Sequence, residues 1–192
     1  MHPRLARNIY RLQELALGRP SFRILRELDA SQWWPRGRLN DLRLHRLRNT
    51  LELAYAHSPY WRRSMEHQGI VPQDIQSVED LQRFPMLERE VLHRHREDIV
   101  WRNGGRRLQL VRTSGSTNDA LEFYTSSERE AHINAARMRG HEWIGIPKGE
   151  KEMYCWGSPI ELGKQDRLKR IRDWLINDGL ANGFELTPER VR

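Results

Sequence analysis

The sequence predicts an α/β protein in which a helical N-terminal region precedes a segment of alternating strands and helices. Apolar residues recur at helical spacing through the first third of the chain. The pattern changes to strand-like alternation at residues 108–112, and predicted helices and strands then follow one another. We therefore expect residues 1–100 to form the helical region. Residues 101–192 should form the first strands and helices of a domain that the chain contains only in part.

The first third should contain three helices. Residues 4–17 place four apolar side chains on one helical face and end before a glycine and a proline. Ser21 can cap a second, short helix. A longer helix should begin at Asn40 or Asp41 and end at Ser58, because the residue before a proline is pushed out of helical geometry.

Shorter elements are predicted next. Residues 60–98 should form short helices joined by turns, with Ser77 and Asp80 as capping residues. A strand at 108–112 should lead through a loop into a second strand at 121–124.

The last part of the chain predicts further α/β units. Ser127 and Glu130 form a capping-box pattern, so a helix should run from Ser127 to Trp143. A strand at 153–156 should be followed by a helix that stops at Asp178-Gly179, and by another strand at 184–186.

Charge and cysteine content limit the function classes. The net charge of +7 lies in residues 1–48, which hold 11 arginines against four acidic residues, while the remainder is balanced. These arginines alternate with apolar residues, as on the solvated faces of ordinary helices. Cys155 is the only cysteine, so we expect a reducing compartment, the cytoplasm, and a thiol buried in an apolar strand. No stretch approaches the roughly 20 apolar residues of a membrane span.

The loop between the first two predicted strands is the strongest candidate for a binding site. It combines four hydroxyl side chains with a glycine and an asparagine, which tolerate positive φ best. Backbone N–H groups in such a turn can converge on an anion, and the hydroxyls can add donors to phosphate oxygens. The same composition also suits an ordinary turn. The residues are Thr113, Ser114, Gly115, Ser116, Thr117 and Asn118.

This loop and the segment before it resemble one enzyme family. Residues 113–117, TSGST, resemble the phosphate-binding signature of the adenylate-forming, AMP-forming acyl-CoA ligases. Residues 51–87, LELAYAHSPYWRRSMEHQGIVPQDIQSVEDLQRFPML, are similar to the entry segment of the phenylacetate-CoA ligase branch, including its capsule-biosynthesis relatives. Three positions depart from the pattern: Asn118 stands where glycine is usual, Ala120 where proline is usual, and Arg89 where lysine is common.

The resemblance implies an ATP-dependent, two-step reaction that uses Mg2+ and CoA. A carboxylate attacks the α-phosphate of ATP, and the CoA thiol then displaces AMP from the acyl-adenylate. Ser114, Ser116 and Thr117 would hold the β- and γ-phosphates. The family's catalytic lysine, magnesium carboxylate and adenine contacts come later than this chain extends, so no catalytic residue or metal ligand is assigned here. We expect this part alone to be inactive.

One alternative comes from a different class. The arginine-rich N-terminal helices could instead serve a non-catalytic module that binds a polyanion or an anionic surface. Such a module should bind with a steep dependence on salt. Nucleic acid is not the expected partner, and a homodimer is left open. His93 and His95 lie two residues apart without a third ligand at metal spacing, and we interpret them as surface residues.

Overall fold

The computed structural model describes most of the chain, and its helices and strands alternate as expected. The described residues are 1–101, 108–113, 120–156 and 167–182. The helices are α1 (Pro3–Ala16), α2 (Ser21–Ser31), α3 (Arg36–His57), α4 (Pro59–His67), α5 (Arg89–Ile99), α6 (Ser127–Trp143) and α7 (Arg167–Leu175). Two 3-10 turns span Pro72–Asp74 and Glu79–Arg83. The strands are β1 (Leu108–Arg112), β2 (Glu122–Ser126), β3 (Glu152–Trp156) and β4 (Asp178–Asn182).

The chain divides into two compact units. The unit that contains both ends of the sequence, here called the outer unit, consists of Met1–Asp29 and Glu130–Arg192. The middle unit is the sequence between them, Ala30–Arg129. These units group residues that lie together in space. The expected boundary near residue 100 concerns successive domains along the sequence, so it stays a prediction.

The outer unit packs α1, α2 and α6 together through a small apolar core. Ala131 and Ala135 of α6 are fully buried, as expected for a helix whose small residues permit close packing. The other core residues are Tyr10, Ile24, Leu25, Met138 and Ile176. In the same unit β3 and β4 pair in parallel, from Glu152 opposite Asp178 to Trp156 opposite Asn182.

A buried carboxylate ties these helices together. Glu14 of α1 is only 1% exposed and accepts a hydrogen bond from the Ser21 hydroxyl at the start of α2. The amide of Asn134 on α6 donates to the same carboxylate at 3.0 Å, and an Arg19 guanidinium nitrogen lies 3.6 Å from it. One side chain therefore links three helices: its Oε2 accepts both hydrogen bonds, whereas its Oε1 has the Arg19 charge nearby but no hydrogen bond.

The middle unit has its own core where α3 and α4 meet. Leu51, Met65, Ile70 and Ile75 are buried there. Ser58 separates the two helices: its Oγ accepts from the N–H of Trp61 as an N-cap and donates to the carbonyl of Asp98 at the end of α5.

Several predicted boundaries are wrong by a few residues. The third helix begins at Arg36, not at Asn40 or Asp41, because Pro35 fits the N-cap position and Arg36 lies on the exposed side, where apolar spacing gives no signal. The second strand is displaced to Glu122–Ser126.

Two further corrections concern the last elements. The N–H of Arg129 donates to Ser126 Oγ, so the cap of α6 is one residue earlier than the expected Ser127. The helix that was expected to stop at Asp178-Gly179 ends at Leu175, because Asn177 adopts a positive φ of 59°. Asp178 then begins β4. The predicted strand at 184–186 lies outside the described residues.

The sequence contains no stretch of the length and apolarity of a membrane span, and the helices of the structure can be compared with that expectation. Across the ranges that the structure describes, no helix has the length and apolarity needed to cross a bilayer.

Candidate functional site

The predicted phosphate loop is closed at its base by two hydrogen bonds. β1 and β2 are antiparallel, with Leu108 opposite Ser126 and Arg112 opposite Glu122. Beyond the last pair, the N–H of Thr113 donates to the Leu121 carbonyl at 3.0 Å. The N–H of Leu121 donates to Thr113 Oγ1 at 3.0 Å. The two strands are thus joined by two further hydrogen bonds where the loop begins and ends, and Thr113 Oγ1 is the acceptor in one of them.

The remaining loop residues stay predictions. Ser114, Gly115, Ser116, Thr117 and Asn118 lie outside the described residues. Thr113 is the member of the candidate set that the structure places. Its hydroxyl oxygen already accepts one backbone hydrogen bond, but the hydroxyl retains its own proton to donate.

Two arginines converge on one glutamate beside the loop base. Glu122 of β2 receives Arg96 from α5 at 2.6 Å and Arg112 from β1 at 3.1 Å. Arg96 also lies 3.5 Å from Glu97. Glu122 thereby anchors α5 to the hairpin and fixes the direction of both guanidinium groups, which are the side chains best suited to bidentate contact with phosphate.

A polar cavity of about 360 Å3 lies at this position in the middle unit. Its lining contains three arginines and two glutamates, so its formal charge is +1 with histidine neutral. Arg112, before the loop, and Ala120, after it, both line the cavity, so the cavity adjoins both sides of the loop base. The charged residues of the lining are Arg94, Arg96, Glu97, Arg112 and Glu122. Such a site attracts an anion in preference to a cation.

Sequence reasoning did not find this group of arginines. Arg112 and Glu122 face one another at the loop-side ends of β1 and β2, whereas the second strand was predicted to begin one residue earlier, at Leu121. Arg96 comes from a helix that lies 26 residues before Glu122 in the sequence, and no spacing rule connects the two.

A second charged cluster is buried in the outer unit. Lys148 is 2% exposed, and its ammonium donates to Asp178 and lies 3.5 Å from Glu152. The same nitrogen is 4.8 Å from the centre of the Tyr10 ring. Asp178 and Glu152 begin the two parallel strands, so Lys148 joins them at one edge of the sheet.

The pKa shifts in this cluster have separable causes. Burial would raise the pKa of Glu152, but the Tyr154 hydroxyl and the charges of Lys148, Arg137 and His141 together lower it. Burial raises the pKa of Asp178 in spite of its hydrogen bond from Lys148.

Burial is the largest cause of the pKa shift in both Tyr10 and Tyr154. Burial, with the nearby Glu14, raises the pKa of Tyr10 to about 12. Burial and the hydrogen bond to Glu152 raise the pKa of Tyr154 further. No element of this cluster was predicted from the sequence, since Lys148 lies in a turn between predicted elements and carries no motif.

The basic N-terminal helices use several of their arginines within the chain. Arg7 pairs with Glu142 at 3.1 Å, Arg23 with Glu27 at 2.7 Å, and the guanidinium of Arg38 lies over the Trp34 ring. These contacts are those of folded, solvated helices. They do not favour the alternative of a polyanion-binding module.

The remaining candidates from the sequence have ordinary surroundings. In the residues that the structure describes, no group of three His, Cys, Asp or Glu side chains is arranged to hold a metal ion. The expectation that Cys155 is buried is wrong, since its side chain is exposed on β3. The described strands β3 and β4 form a two-stranded sheet, and residue 155 falls on an uncovered position of it.

Comparisons with known proteins reveal the fold. No protein-family model and no curated protein matches the chain. Among solved structures, it is similar to 2-hydroxyisobutyryl-CoA ligase in the postadenylation state with 2-HIB-AMP, at 20% identity and a TM-score of 0.54. It is also similar to that ligase with 2-HIB-AMP and CoA in the thioesterification state, at 21% identity and a TM-score of 0.55. The matches cover 76% and 80% of this chain, and 31% and 33% of the ligase chains.

The likeness confirms the predicted fold class. The chain has an α/β fold similar to part of 2-hydroxyisobutyryl-CoA ligase, and it spans about a third of the length of the ligase chains. At this identity the likeness concerns the fold, so the phenylacetate-CoA ligase branch stays a prediction.

Proposed function

We propose that this chain supplies the phosphate-binding hairpin of an ATP-dependent, AMP-forming carboxylate-CoA ligase. The observation that carries the proposal is the closure of the loop by Thr113 and Leu121 between two paired strands. Residues 114–118 follow Thr113 in the sequence, and we expect their N–H groups and hydroxyls to act on one anion. The sequence resemblance to phenylacetate-CoA ligases supports the finer assignment.

The arginine cluster beside the loop supports an anionic ligand. Arg96 and Arg112 are held by Glu122, and Arg96 also pairs with Glu97. Arg94 gives the lining of the cavity its formal charge of +1. We expect the loop hydroxyls to bind the β- and γ-phosphates and the arginines to add a favourable field. The arginines would attract the phosphates over a distance rather than bind them directly, because both guanidinium groups are already paired.

The proposed reaction has two steps, the first at a phosphorus atom and the second at a carbonyl carbon. The carboxylate oxygen of the substrate attacks the α-phosphorus of ATP, the bond to the bridging oxygen breaks, and pyrophosphate leaves. The CoA thiol then loses its proton, its sulfur attacks the acyl carbon, and AMP leaves as the thioester forms. Mg2+ bound with ATP would offset phosphate charge. The residues of this chain would hold the leaving pyrophosphate in line and stabilise its charge.

An exposed apolar surface in the outer unit supports a role within a larger protein. Parallel strands are normally covered on both faces, yet Met153 of β3 is 68% exposed. Leu168, Ile171 and Trp174 of α7 are also exposed. We propose activity for a protein that carries the remainder of the ligase fold, with the acyl pocket and therefore the choice of carboxylate outside these 192 residues.

Binding of the phosphates can be tested on this chain. Isothermal titration with Mg-ATP and with pyrophosphate should give weaker binding, by tenfold or more, in a Ser116→Ala, Thr117→Ala double variant. Thr50→Ala removes an exposed hydroxyl of α3 and serves as the matched control that should leave binding unchanged. Equal binding by the wild type and the double variant would refute the loop assignment.

Catalysis requires a longer protein. A form with the remainder of the ligase fold should release pyrophosphate when it is given ATP, CoA and a carboxylate from a panel of aryl and fatty acids. The double variant in that form should lose this activity and keep its thermal stability. Turnover that survives the double change would exclude the proposed role of the loop.

A further inference from the structure

A small cavity in the outer unit lies between α1 and α2. Its volume is about 210 Å3, below the range of roughly 300–1,000 Å3 that drug-sized ligands occupy, so it suits a small chemical group. Most of its lining is polar, and the polar residues are Arg7, Asn8, Arg11, Arg26 and Asp29.

The lining of this cavity carries an excess of positive charge. Three arginines and one aspartate give it a formal charge of +2. Arg7 pairs with Glu142 at 3.1 Å, so the charge is still +1 when that neighbouring carboxylate is counted. Arg7 and Arg11 are four residues apart on α1, where side chains are neighbours and like charges repel. An anion in the cavity would relieve this repulsion.

Two of the three guanidinium groups have no partner in the described ranges of the chain. Neither Arg11 nor Arg26 forms an ion pair or a hydrogen bond there. Both residues are exposed, so each keeps all of its N–H donors for a ligand. The side-chain amide of Asn8 also lines the cavity and can donate.

This donor set favours a phosphate group over a carboxylate. Guanidinium groups present paired N–H donors that match the oxygens of both anions. A phosphate monoester, however, carries about −1.5 to −2 charges at pH 7 and three strong acceptor oxygens, whereas a carboxylate carries a single charge. The two guanidinium groups and the charge of the lining therefore match the monoester better. Asp29 opposes any anion and should lower the affinity of the site.

We propose that the α1–α2 cavity binds a phosphate monoester group, with Arg11 and Arg26 as its main partners and Asn8 as a further donor. The monoester can belong to a soluble molecule or to a lipid headgroup, because the small cavity receives the phosphate and not the molecule that carries it. The site uses none of the loop residues 113–118, so it does not depend on the ligase proposal.

Titration of the isotope-labelled chain with inorganic phosphate tests the site. NMR of the arginine Nε–H groups gives a dissociation constant, and the signals of Arg11 and Arg26 should shift and saturate. Arg11→Gln and Arg26→Gln should each weaken binding about three- to tenfold, between the effect of an exposed ion pair and that of a charged hydrogen bond. Asp29→Asn removes the opposing charge and should tighten binding about twofold.

Arg23→Gln is the matched control for the loss of one positive charge. Arg23 pairs with Glu27 on the exposed side of α2 and does not line the cavity, so this change should leave phosphate binding unchanged. Circular dichroism checks that each variant is folded. The proposal is overturned if phosphate gives no saturable shift at Arg11 and Arg26, if their variants bind it as tightly as the wild type, or if Arg23→Gln weakens binding equally.

Two further probes identify the source of the phosphate. Glycerol phosphate represents a soluble monoester, and phosphatidylcholine vesicles with and without phosphatidic acid represent a lipid surface. Sedimentation with the phosphatidic acid vesicles that is lost in Arg11→Gln and Arg26→Gln would assign the site to a headgroup. Displacement of inorganic phosphate by glycerol phosphate, without sedimentation, would assign it to a soluble ligand. Failure of both probes would overturn the assignment to a monoester.

Discussion

Replacing Lys148 with methionine tests whether the buried charge cluster holds the outer unit together. Methionine keeps much of the apolar stem and removes the ammonium group. The change leaves Asp178 and Glu152 without their shared cation, although Arg137 and His141 still contribute to the field at Glu152. Lys151 is exposed, and Lys151→Met is the matched control.

The expected loss follows from burial. The side chain of Lys148 is 1% exposed, and those of Glu152 and Asp178 are 7% and 17% exposed. Removing one partner of a buried ion pair costs about 3–5 kcal/mol, because a buried charge remains uncompensated. The charges that remain near Glu152 place the expected loss near the lower end, about 3 kcal/mol. For a chain of this size that lowers the Tm by about 6–12 °C.

The effect should depend on pH in a defined direction. The folded pKa of Glu152 lies below its usual 4.5, so its contribution to stability is present above that pH and is lost as the pH falls. The folded pKa of Asp178 lies above its usual 3.8, so its contribution has the opposite sign and is lost as the pH rises. Without the ammonium group both pKa values rise, and the variant binds protons more tightly when folded. The deficit of Lys148→Met should therefore shrink as the pH falls from 7 towards about 4.

Urea denaturation followed by circular dichroism measures both effects. The free energy of unfolding of the two lysine variants should be compared with that of the wild type at pH 7 and pH 5. Adding Asp178→Asn to Lys148→Met removes one stranded charge and should restore part of the loss. A loss below about 1 kcal/mol, or one equal to that of Lys151→Met, would show that the cluster does not stabilise the unit. A loss that does not change with pH would contradict the electrostatic explanation.

Three further changes test other parts of the structure by the same denaturation measurement. Glu14→Ala removes the partner of Arg19, Ser21 and Asn134 and should cost about 2–3 kcal/mol. Glu27→Ala breaks an exposed pair and should cost under about 0.5 kcal/mol, and similar costs for the two changes would contradict the assigned role. Gly149→Ala should cost about 2 kcal/mol or more, because φ is +110° and a Cβ would overlap a carbonyl oxygen of α1. Gly37→Ala, in open space on α3, should instead add about 0.5–1 kcal/mol, and the reverse order would refute this reasoning. Thr125→Val should add about 1 kcal/mol by removing a buried unpaired hydroxyl, and a loss would mean that the hydroxyl has a partner.

The sequence predicts elements well where one residue pattern determines them. A capping-box pattern predicted a helix at Ser127–Trp143, and these bounds are confirmed, although the side chain that caps the helix is Ser126. Leu108–Arg112 was equally clear as a strand. The start of α3 was missed because Arg36 and Gly37 lie on the solvent side, where neither packing nor periodicity constrains the residue type.

The beginning of β4 shows why local signals can mislead. Asp178-Gly179 has the composition of a helix stop, and a stop does occur nearby, at Asn177. Asp178 nevertheless belongs to a strand, because it pairs with Glu152 and receives the Lys148 ammonium from 30 residues earlier in the chain. A tertiary contact therefore decides the state of a residue whose local preference is for a turn.

The candidate site is predictable only in part for the same reason. A resemblance in a short loop indicated which residues could meet phosphate, and the hairpin that carries the loop was expected from strand alternation. The guanidinium groups beside it depend on the approach of α5 to β2, which no spacing in the sequence encodes. The loop composition supplies donors, and the arginines held by Glu122 supply the charge that would draw a phosphate to them.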